Sequence, residues 1–417
     1  MTKKLLLIAV SALINTLYIN YFDQNLASSE IYIYGTVTTH DDHEYKGQMR
    51  WGKEEIFWFD MFNSSKPENE NLDYLSKGQI ASLDKEDKWH GGKIDVPFVK
   101  KWNWNNNSDH SHAFSMRFGD IAKLEIRRGD RVVVHLKSGD KIKLKGGAND
   151  IGTEIQVNDL EVGNIKLDWD QVAEVSFSSG KENVENKFGN PLYGTVTTRD
   201  GSFTGFVQWD HDERMSEDEL NGEYEDGEVD IPFGSITSIE RISRGSEVNL
   251  ASGRTFKLYG TNDVNNDNRG IIVNIENLGR VDIPWGEFEK VVFTEAPDSG
   301  NLNYNSFSKG GEHIKGTVTS KEGTYKGLIA YDLDESYLCE MLNGQLDDIE
   351  YSIPFEFIQS IASQDEDGSE IILRSGKKIY LEEVVDVSSE NDGALIFSDG
   401  EDERYISWDE ITKISLD

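Results

Sequence analysis

Three segments of this chain carry an acidic motif whose oxygen atoms could bind a metal ion. An aromatic residue is followed four residues later by Glu, nine residues later by a second acid and twelve residues later by Asn. The three sets are Trp51-Glu55-Asp60-Asn63, Trp209-Glu213-Asp218-Asn221 and Tyr331-Glu335-Glu340-Asn343. Carboxylate and amide oxygens suit calcium, which takes about six to eight such ligands. Calcium is therefore the candidate cofactor of these segments, which we call the acid–Asn segments.

The same segments also have the spacing of a short amphipathic helix. Leu338, Met341 and Leu342 recur at helical intervals, and Asn343-Gly344 and Asn221-Gly222 are typical of helix ends. The two interpretations are compatible, because a helix can present one carboxylate to a groove.

A second set of oxygen ligands follows in the loop after Gly260. Asp263, Asn265 and Asp267 alternate as the ligands of a calcium loop do. The spacing is not that of an EF-hand, because Asn274 stands in the twelfth place, where that motif needs Glu. Asn and Asp also form Asx turns without any metal, so this alternative stays open.

Two further groups in the first third of the chain are candidates for binding. Histidines at five positions are conceivable zinc or copper ligands, although exposed loop histidines are commoner. These positions are His40, His43, His90, His110 and His112. Trp102 and Trp104 are candidate sugar-stacking residues, or else they cover the fold beneath them.

The sequence carries no recognisable catalytic motif. Nucleophile elbow, HExxH helix, phosphate loop and dinucleotide fingerprint are all absent from it. A glycosidase needs two carboxylates at a defined separation, but a chain with 77 acidic residues produces acidic pairs by chance. We therefore predict that the protein is not an enzyme.

The net charge of the chain restricts the class of binding partner, and the N-terminal residues predict the cellular compartment. A net charge of -35 repels phosphates, so nucleic acid is excluded as a partner. Lys3 and Lys4 precede the apolar run Leu5–Ile14, and Ala27 and Ser29 have signal-peptidase spacing, so residues 1–29 are predicted to be a signal peptide. An uncleaved anchor is the alternative, but the run is shorter than the ~20 residues that a span needs. The mature chain is thus predicted to be exported, periplasmic or extracellular, without a transmembrane segment.

A pattern that recurs six times defines the elements that position these residues. Phe or Trp is followed three and six residues later by apolar residues. The copies begin at Phe118, Trp169, Phe233, Trp285, Phe355 and Trp408. They group in three pairs, because Gly-Thr-Val-Thr opens each larger repeat at Gly35, Gly194 and Gly316. We expect the aromatic residues to be core residues of six similar units.

Glycine turns set the register of these units. Apolar residues alternate on both sides of Gly139, Gly253 and Gly376, which is typical of half-buried β-hairpins. The aromatic residue follows the turn glycine by 32 residues in both units of repeat 2, from Gly201 to Phe233 and from Gly253 to Trp285. The single cysteine, Cys339, cannot form an intramolecular disulfide, so packing or bound ions must provide the stability.

The repeats give the domain boundaries. After residues 1–29, repeat 1 spans 30–180 with an insertion at about 64–117, repeat 2 spans 190–295 and repeat 3 spans 312–417. Ser178–Asn190 and Glu295–Gly311, rich in Ser, Gly, Asn and Glu, are predicted to be flexible linkers.

The end of each unit resembles the last third of SH3-like barrels. In Ile231-Pro232-Phe233 through Ile236 to Ile239, a strand, a proline, a 3₁₀ turn and a closing strand are predicted in that order. The resemblance covers some twelve residues per unit, and Sm-like and PRC-type barrels would give similar patterns. It implies an all-β fold of tandem small SH3-like barrels, six units in three pairs, with short helical insertions. Proline-rich peptide binding is not implied, because the acidic aromatic segment of peptide-binding SH3 domains is absent.

These observations favour an exported, non-enzymatic repeat protein that acts as an envelope or extracellular binding or scaffold protein, with an envelope protein or a polysaccharide as its partner. One alternative is calcium-dependent polysaccharide binding through the acid–Asn segments and the repeat 1 tryptophans. A second alternative is a carboxylate-based hydrolase with its site in the repeat 1 insertion.

Overall fold

A computed structural model describes residues 30–87, 112–146, 150–180, 188–225, 227–297, 302–400 and 402–417. Strands dominate these ranges, and the one α-helix described in them is α1, which lies in the repeat 1 insertion. The all-β class is therefore confirmed. None of the helices that the structure describes combines the length and the apolar character required to cross a bilayer.

Each repeat contributes ten strands. Repeat 1 contains β1 (Tyr34–Thr39), β2 (Glu44–Trp51), β3 (Met61–Lys66), α1 (Lys77–Asp87), β4 (His112–Arg117), β5 (Ile121–Ile126), β6 (Arg131–Leu136), β7 (Lys141–Lys145), β8 (Ile155–Asp159), β9 (Gly163–Leu167) and β10 (Val172–Phe177). Repeat 2 contains β11 (Tyr193–Thr198), β12 (Ser202–Trp209), β13 (Glu219–Tyr224), β14 (Gly227–Pro232), β15 (Ile236–Ile242), β16 (Gly245–Leu250), β17 (Thr255–Leu258), β18 (Ile271–Ile275), β19 (Gly279–Ile283) and β20 (Phe288–Phe293). Repeat 3 contains β21 (Lys315–Ser320), β22 (Thr324–Tyr331), β23 (Met341–Leu346), β24 (Ile349–Pro354), β25 (Ile358–Ser363), β26 (Gly368–Leu373), β27 (Lys378–Glu382), β28 (Ala394–Phe397), β29 (Arg404–Ile406) and β30 (Ile411–Leu416).

The two halves of a repeat exchange strands. In repeat 1 the opening hairpin β1–β2 pairs with strands of the second half, in the order β10-β1-β2-β8-β9. The hairpin β6–β7 pairs in turn with strands of the first half, in the order β5-β6-β7-β3-β4. The strands β5 and β10 pair with each other and join the two sets. The sequence predicted six contiguous units, whereas each five-strand set draws strands from both halves.

Repeats 2 and 3 follow the same order. In repeat 3 the two sets are β30-β21-β22-β28-β29 and β25-β26-β27-β23-β24. In repeat 2 the hairpin β13–β14 is bridged through Glu223 to Tyr259, the residue that directly follows β17. Repeat 2 is joined to repeat 3 edge to edge, because β19 pairs with β24.

The predicted turns are confirmed at most positions. The three glycine hairpins form between β6 and β7, β16 and β17, and β26 and β27, with φ of 98° at Gly139, 83° at Gly253 and 85° at Gly376. A 3₁₀ turn opens on the predicted aromatic residue in five of the six copies, at Phe118–Asp120, Trp169–Gln171, Phe233–Ser235, Phe355–Phe357 and Trp408–Glu410. The remaining copy, at Trp285, forms a plain turn before β20.

The six aromatic residues are buried, as predicted, and each pair shares one central ring. Trp209 lies 6.3 Å from Phe233 of the first half and 5.9 Å from Trp285 of the second half, between ring centroids. Trp51 and Tyr331 occupy the same place in repeats 1 and 3. The aromatic residue that opens each acid–Asn segment therefore ties the cores of the two halves together.

The glycine of Gly-Thr-Val-Thr is explained by a close approach of two strands. A Cβ atom on Gly194 would lie 2.4 Å from the carbonyl oxygen of Val292 in β20. The same collision would occur at Gly35 and Gly316, at 2.2 Å in both cases. The glycine of the motif thus lies where the opening strand of a repeat pairs closely with the last strand of that repeat.

The second linker is not a flexible connector throughout. Tyr304 packs against Trp58 in a tilted arrangement, with ring centroids 4.6 Å apart, and donates its hydroxyl hydrogen to the carbonyl of Ile121 at 3.0 Å. Phe307 is buried against repeat 1. These two aromatic residues attach the linker to repeat 1. The polar composition of the stretch as a whole did not predict this contact.

Candidate functional site

The prediction that the acid–Asn segments form helices is wrong, because each segment opens with a tight chain reversal. Trp209 ends β12 and exchanges two main-chain hydrogen bonds with Glu213, of 2.6 and 3.0 Å. Asp210 and His211 between them have positive φ, of 48° and 60°. A helix cannot contain this reversal. Asn221, taken as part of a helix end, lies within β13.

The acid nine residues after the aromatic closes the turn. One carboxylate oxygen of Asp60 accepts the N–H groups of Ile56 and Phe57, both at 2.7 Å. Asp218 and Glu340 accept two main-chain N–H groups in the same way. Carboxylates that saturate backbone donors are typical turn-closing groups.

These three acids also pair with cations of another repeat. Arg214 of repeat 2 donates to Asp60 of repeat 1 at 2.6 Å, with 2% and 3% of the two side chains exposed. Arg50 of repeat 1 lies 3.7 Å from Asp218 of repeat 2. Lys66 of repeat 1 pairs with Glu340 of repeat 3. The acids therefore hold repeats together, a role that sequence spacing did not reveal.

The Asn of each segment binds an aspartate of the second half. Asn63 donates its main-chain N–H and its side-chain amide to Asp150, at 2.6 and 2.9 Å. Trp51 donates its indole N–H to the carbonyl of Asp150 at 2.8 Å. Asp263 and Asp386 take the same places in repeats 2 and 3, facing Asn221 and Asn343.

The Glu four residues after the aromatic forms a carboxyl pair with that aspartate, and this pair is buried in repeat 1 and partly buried in repeats 2 and 3. The pairs are Glu55–Asp150, Glu213–Asp263 and Glu335–Asp386. Burial, reinforced by Asp263 and Asp212, raises the pKa of Glu213 to about 8. Burial raises the pKa of Asp150 to about 7. One buried Oε atom of Glu213 and one of Glu335 have no hydrogen-bond partner among the described residues. Burial, with the neighbouring carboxylates as a further cause, thus raises the pKa of both carboxyl groups in each pair above the ordinary value.

The predicted calcium ligands of each acid–Asn segment point to different partners and do not converge on one point. Asp60, Asp218 and Glu340 face turns and cations, whereas Glu55, Glu213 and Glu335 face the carboxyl pairs. In the ranges that the structure describes, no group of three or more His, Cys, Asp or Glu side chains is placed to hold a metal ion. Calcium binding stays a prediction that a binding measurement must decide.

The loop after Gly260 forms the predicted Asx turn. Asn265 accepts the N–H of Asp267 at 2.7 Å through its side-chain oxygen, and Asp267 is exposed. Asp263 turns inward instead, to Asn221. The three residues therefore do not converge on one point.

Part of the predicted binding surface lies outside the described residues. This applies to Trp102, Trp104, His90 and His110. The sugar-stacking and histidine-metal hypotheses on these residues stay predictions.

A cavity of about 800 Å³ lies where the three repeats and the second linker meet. We call it the junction cavity. Repeat 1 supplies Phe59 and Arg117, repeat 2 supplies Phe206 and Arg280, and the linker and repeat 3 supply the remaining wall. That wall includes Phe307, Lys309, Glu356, Phe357 and Arg374.

Aromatic and cationic groups alternate around this cavity. The guanidinium of Arg117 lies 4.8 Å from the ring centre of Phe307 and 5.3 Å from that of Phe357. It pairs with Asp120 at 2.8 Å and with Glu356 at 2.5 Å. Stacking between two rings holds the planar cation in place.

The lining is rich in cations, and two of them are paired with acids, Arg117 with Asp120 and Glu356 and Arg280 with Asp282. Arg117, Arg280, Lys309 and Arg374 outnumber the two acids of the lining, Glu276 and Glu356, although the chain carries a net charge of -35. Arg374 donates to the main-chain oxygens of Glu356 and Asp417, both at 2.8 Å. The cavity can therefore attract an anion with an apolar body.

Sequence reasoning missed the junction cavity. Its cations stand in all three repeats and in the second linker, so no single stretch of sequence brings them together. An excess of arginine over acid at one place in an acidic chain becomes visible only when the repeats are assembled. Comparisons with protein-family models, with curated proteins and with solved structures find no match.

Proposed function

We propose that this chain is an exported, non-enzymatic binding and scaffold protein, built of tandem SH3-like barrels, that binds an amphipathic anion in the junction cavity. The observation that carries the proposal is the cationic and aromatic lining of a cavity to which all three repeats contribute. A ligand held there contacts every repeat at once and so stabilises their arrangement.

Strand order supports the SH3-like part of the proposal. In each five-strand set the closing strand follows a 3₁₀ or plain turn and lies beside the first strand of a hairpin, as in β10-β1-β2-β8-β9. The barrel proposed here is composite, with a hairpin from one half and three strands from the other half. Two such barrels per repeat account for the pairing of the six units.

The binding experiment compares two probes with the same apolar chain and opposite charge. Octyl phosphate and octyltrimethylammonium are titrated into the protein lacking residues 1–29 by isothermal titration calorimetry. We expect octyl phosphate to bind and the ammonium probe to bind at least about tenfold more weakly, the effect of one charge-assisted contact. Equal binding of both probes, or preference for the cation, would contradict the proposal.

Two arginine variants test whether octyl phosphate binds in the junction cavity. Arg374→Gln removes a cation from the cavity wall and should weaken octyl phosphate binding by about tenfold. Arg254→Gln is the matched control, because Arg254 stacks on Phe256, neither residue lines the cavity, and binding should be unchanged. If both variants bind equally well, the probe is bound elsewhere.

Export is tested on the N-terminus. The full chain, expressed in a bacterial host, should be recovered outside the cytoplasm with a mass that corresponds to loss of about residues 1–29. A full-length mass in the cytoplasmic fraction would refute this part of the proposal.

A further inference from the structure

Edge strands in the described ranges include β4, β9, β14 and β29. Among the described residues, β9 pairs with β8 alone and β14 pairs with β13 alone. Both strands are largely exposed. Unpaired N–H and C=O groups on a strand edge are a template for another strand.

The chain itself shows how such edges combine. The strand β19, which ends one five-strand set of repeat 2, pairs with β24, which ends a set of repeat 3. The register places Arg280 opposite Ser352, Val281 opposite Tyr351 and Asp282 opposite Glu350. In the repeat order, β9 corresponds to β19 and β14 corresponds to β24.

We propose that β9 of one molecule pairs with β14 of a second copy in this same register, so that the chain self-assembles head to tail. The register would place Asn164 opposite Asp230, Ile165 opposite Val229 and Lys166 opposite Glu228. These are an amide facing a carboxylate, an apolar pair and a pair of opposite charges. Cross-strand pairs of these kinds stabilise a sheet.

The surroundings of β9 fit a protein partner. Leu160 and Val162, in the turn before β9, are 51% and 63% exposed, although they are large apolar residues. Lys166 is 62% exposed, and its present partner is the similarly exposed Glu154 at 3.1 Å. An exposed pair of this kind is weak, so Lys166 can turn to a second copy at little cost.

The alternative edge for this register is less suitable. The strand β29 also corresponds to β19, but there Glu403 would face Asp230, and like charges opposite each other destabilise a sheet. Because β9 and β14 lie on different repeats, their contact is heterologous and leaves one open edge at each end. Such contacts generate rings or open chains.

The test uses a charge exchange at the one ionic pair of the register. Sedimentation velocity of the chain lacking residues 1–29, from about 1 to 300 μM, should show oligomers that grow with concentration. K166E and E228K should each shift assembly to at least about fivefold higher concentration, the effect of about 1 kcal/mol. The double variant K166E/E228K restores opposite charges and should assemble like the unaltered protein.

A lysine in another strand serves as control. Lys143 is 74% exposed and pairs with Glu70, so K143E makes the same change of charge away from both edges and should assemble normally. A protein that stays monomeric at 300 μM, or one that assembles equally well as K166E, would overturn the proposal. Failure of the double variant to recover assembly would also overturn it.

Discussion

Replacing Glu213 by glutamine should stabilise the protein at alkaline pH and leave its stability at acidic pH nearly unchanged. The carboxyl of Glu213 is largely buried beside Asp263, and one of its oxygens has no partner among the described residues. Glutamine has the same shape and no charge, and its amide can donate to Asp263. The substitution therefore mimics the protonated form of the native side chain.

The direction of the pH dependence follows from the pKa of Glu213 in the folded and in the unfolded protein. Burial and the nearby acids raise the pKa of folded Glu213 to about 8, from an ordinary value of 4.5. Between these values the folded protein keeps a proton that the unfolded chain has released. The free energy of unfolding of the native protein therefore falls as pH rises through this window, by up to ~1.4 kcal/mol per pH unit. The total loss is at most ~5 kcal/mol at pH 8 and above.

The assay is urea unfolding followed by tryptophan fluorescence at pH 5.5, 6.5, 7.5 and 8.5. The advantage of Glu213→Gln over the native protein should grow with pH and reach at least ~2 kcal/mol at pH 8.5. Hydrogen exchange of the β12 amides localises the effect to repeat 2. Glu217→Gln, at an exposed position in the same segment, should show no such growth. Parallel pH profiles of Glu213→Gln and the native protein would refute the reasoning.

Four further changes test the repeat interfaces, the shared hydrogen bonds and the cofactor hypothesis. Arg214→Met should cost about 3–5 kcal/mol of unfolding free energy, because it leaves Asp60 buried without its cation, and Asp60→Asn in the same chain should recover part of this loss in calorimetry. Gly194→Ala should lower the melting temperature by several degrees, because its Cβ would strike the Val292 carbonyl, whereas Gly201→Ala, with open space around it, should not. Asn63→Ala should cost about 1–3 kcal/mol in urea unfolding, because Asp150 and Ser115 lose their side-chain partner. If the acid–Asn segments bind calcium, millimolar calcium added after chelation should raise the melting temperature by several degrees, and an unchanged melting temperature would contradict the calcium hypothesis.

Local structure was predictable where a short pattern has one physical solution. The positive φ of Gly139 and the 3₁₀ turn at Phe233 follow from residues within a few positions of each other. The buried aromatic residues were predictable for the same reason, since a large ring at a fixed spacing belongs to a core.

Pairing between distant strands was not predictable from one sequence. Nothing in β2 distinguishes a neighbour in its own half from β8, because both candidates are short alternating strands. The prediction that the acid–Asn segments form helices was wrong for a related reason. A recurrence of three to four residues suits a helix, but it also arises when a strand reverses after Trp209 and the next carboxylate caps the turn.

Strand exchange explains why the six units come as three pairs. Each carboxyl pair takes its Glu from the first half of a repeat and its Asp from the second half, and each central aromatic ring packs against both halves. A single half of about 50 residues would expose this aromatic ring and leave the donor of Asn63 or Asn343 without its aspartate. The smallest unit that covers its central aromatic ring and pairs its Asn with an aspartate is thus the complete repeat. Additional stability comes from joining repeats, through ion pairs such as Arg214–Asp60 and through the edge contact of β19 with β24.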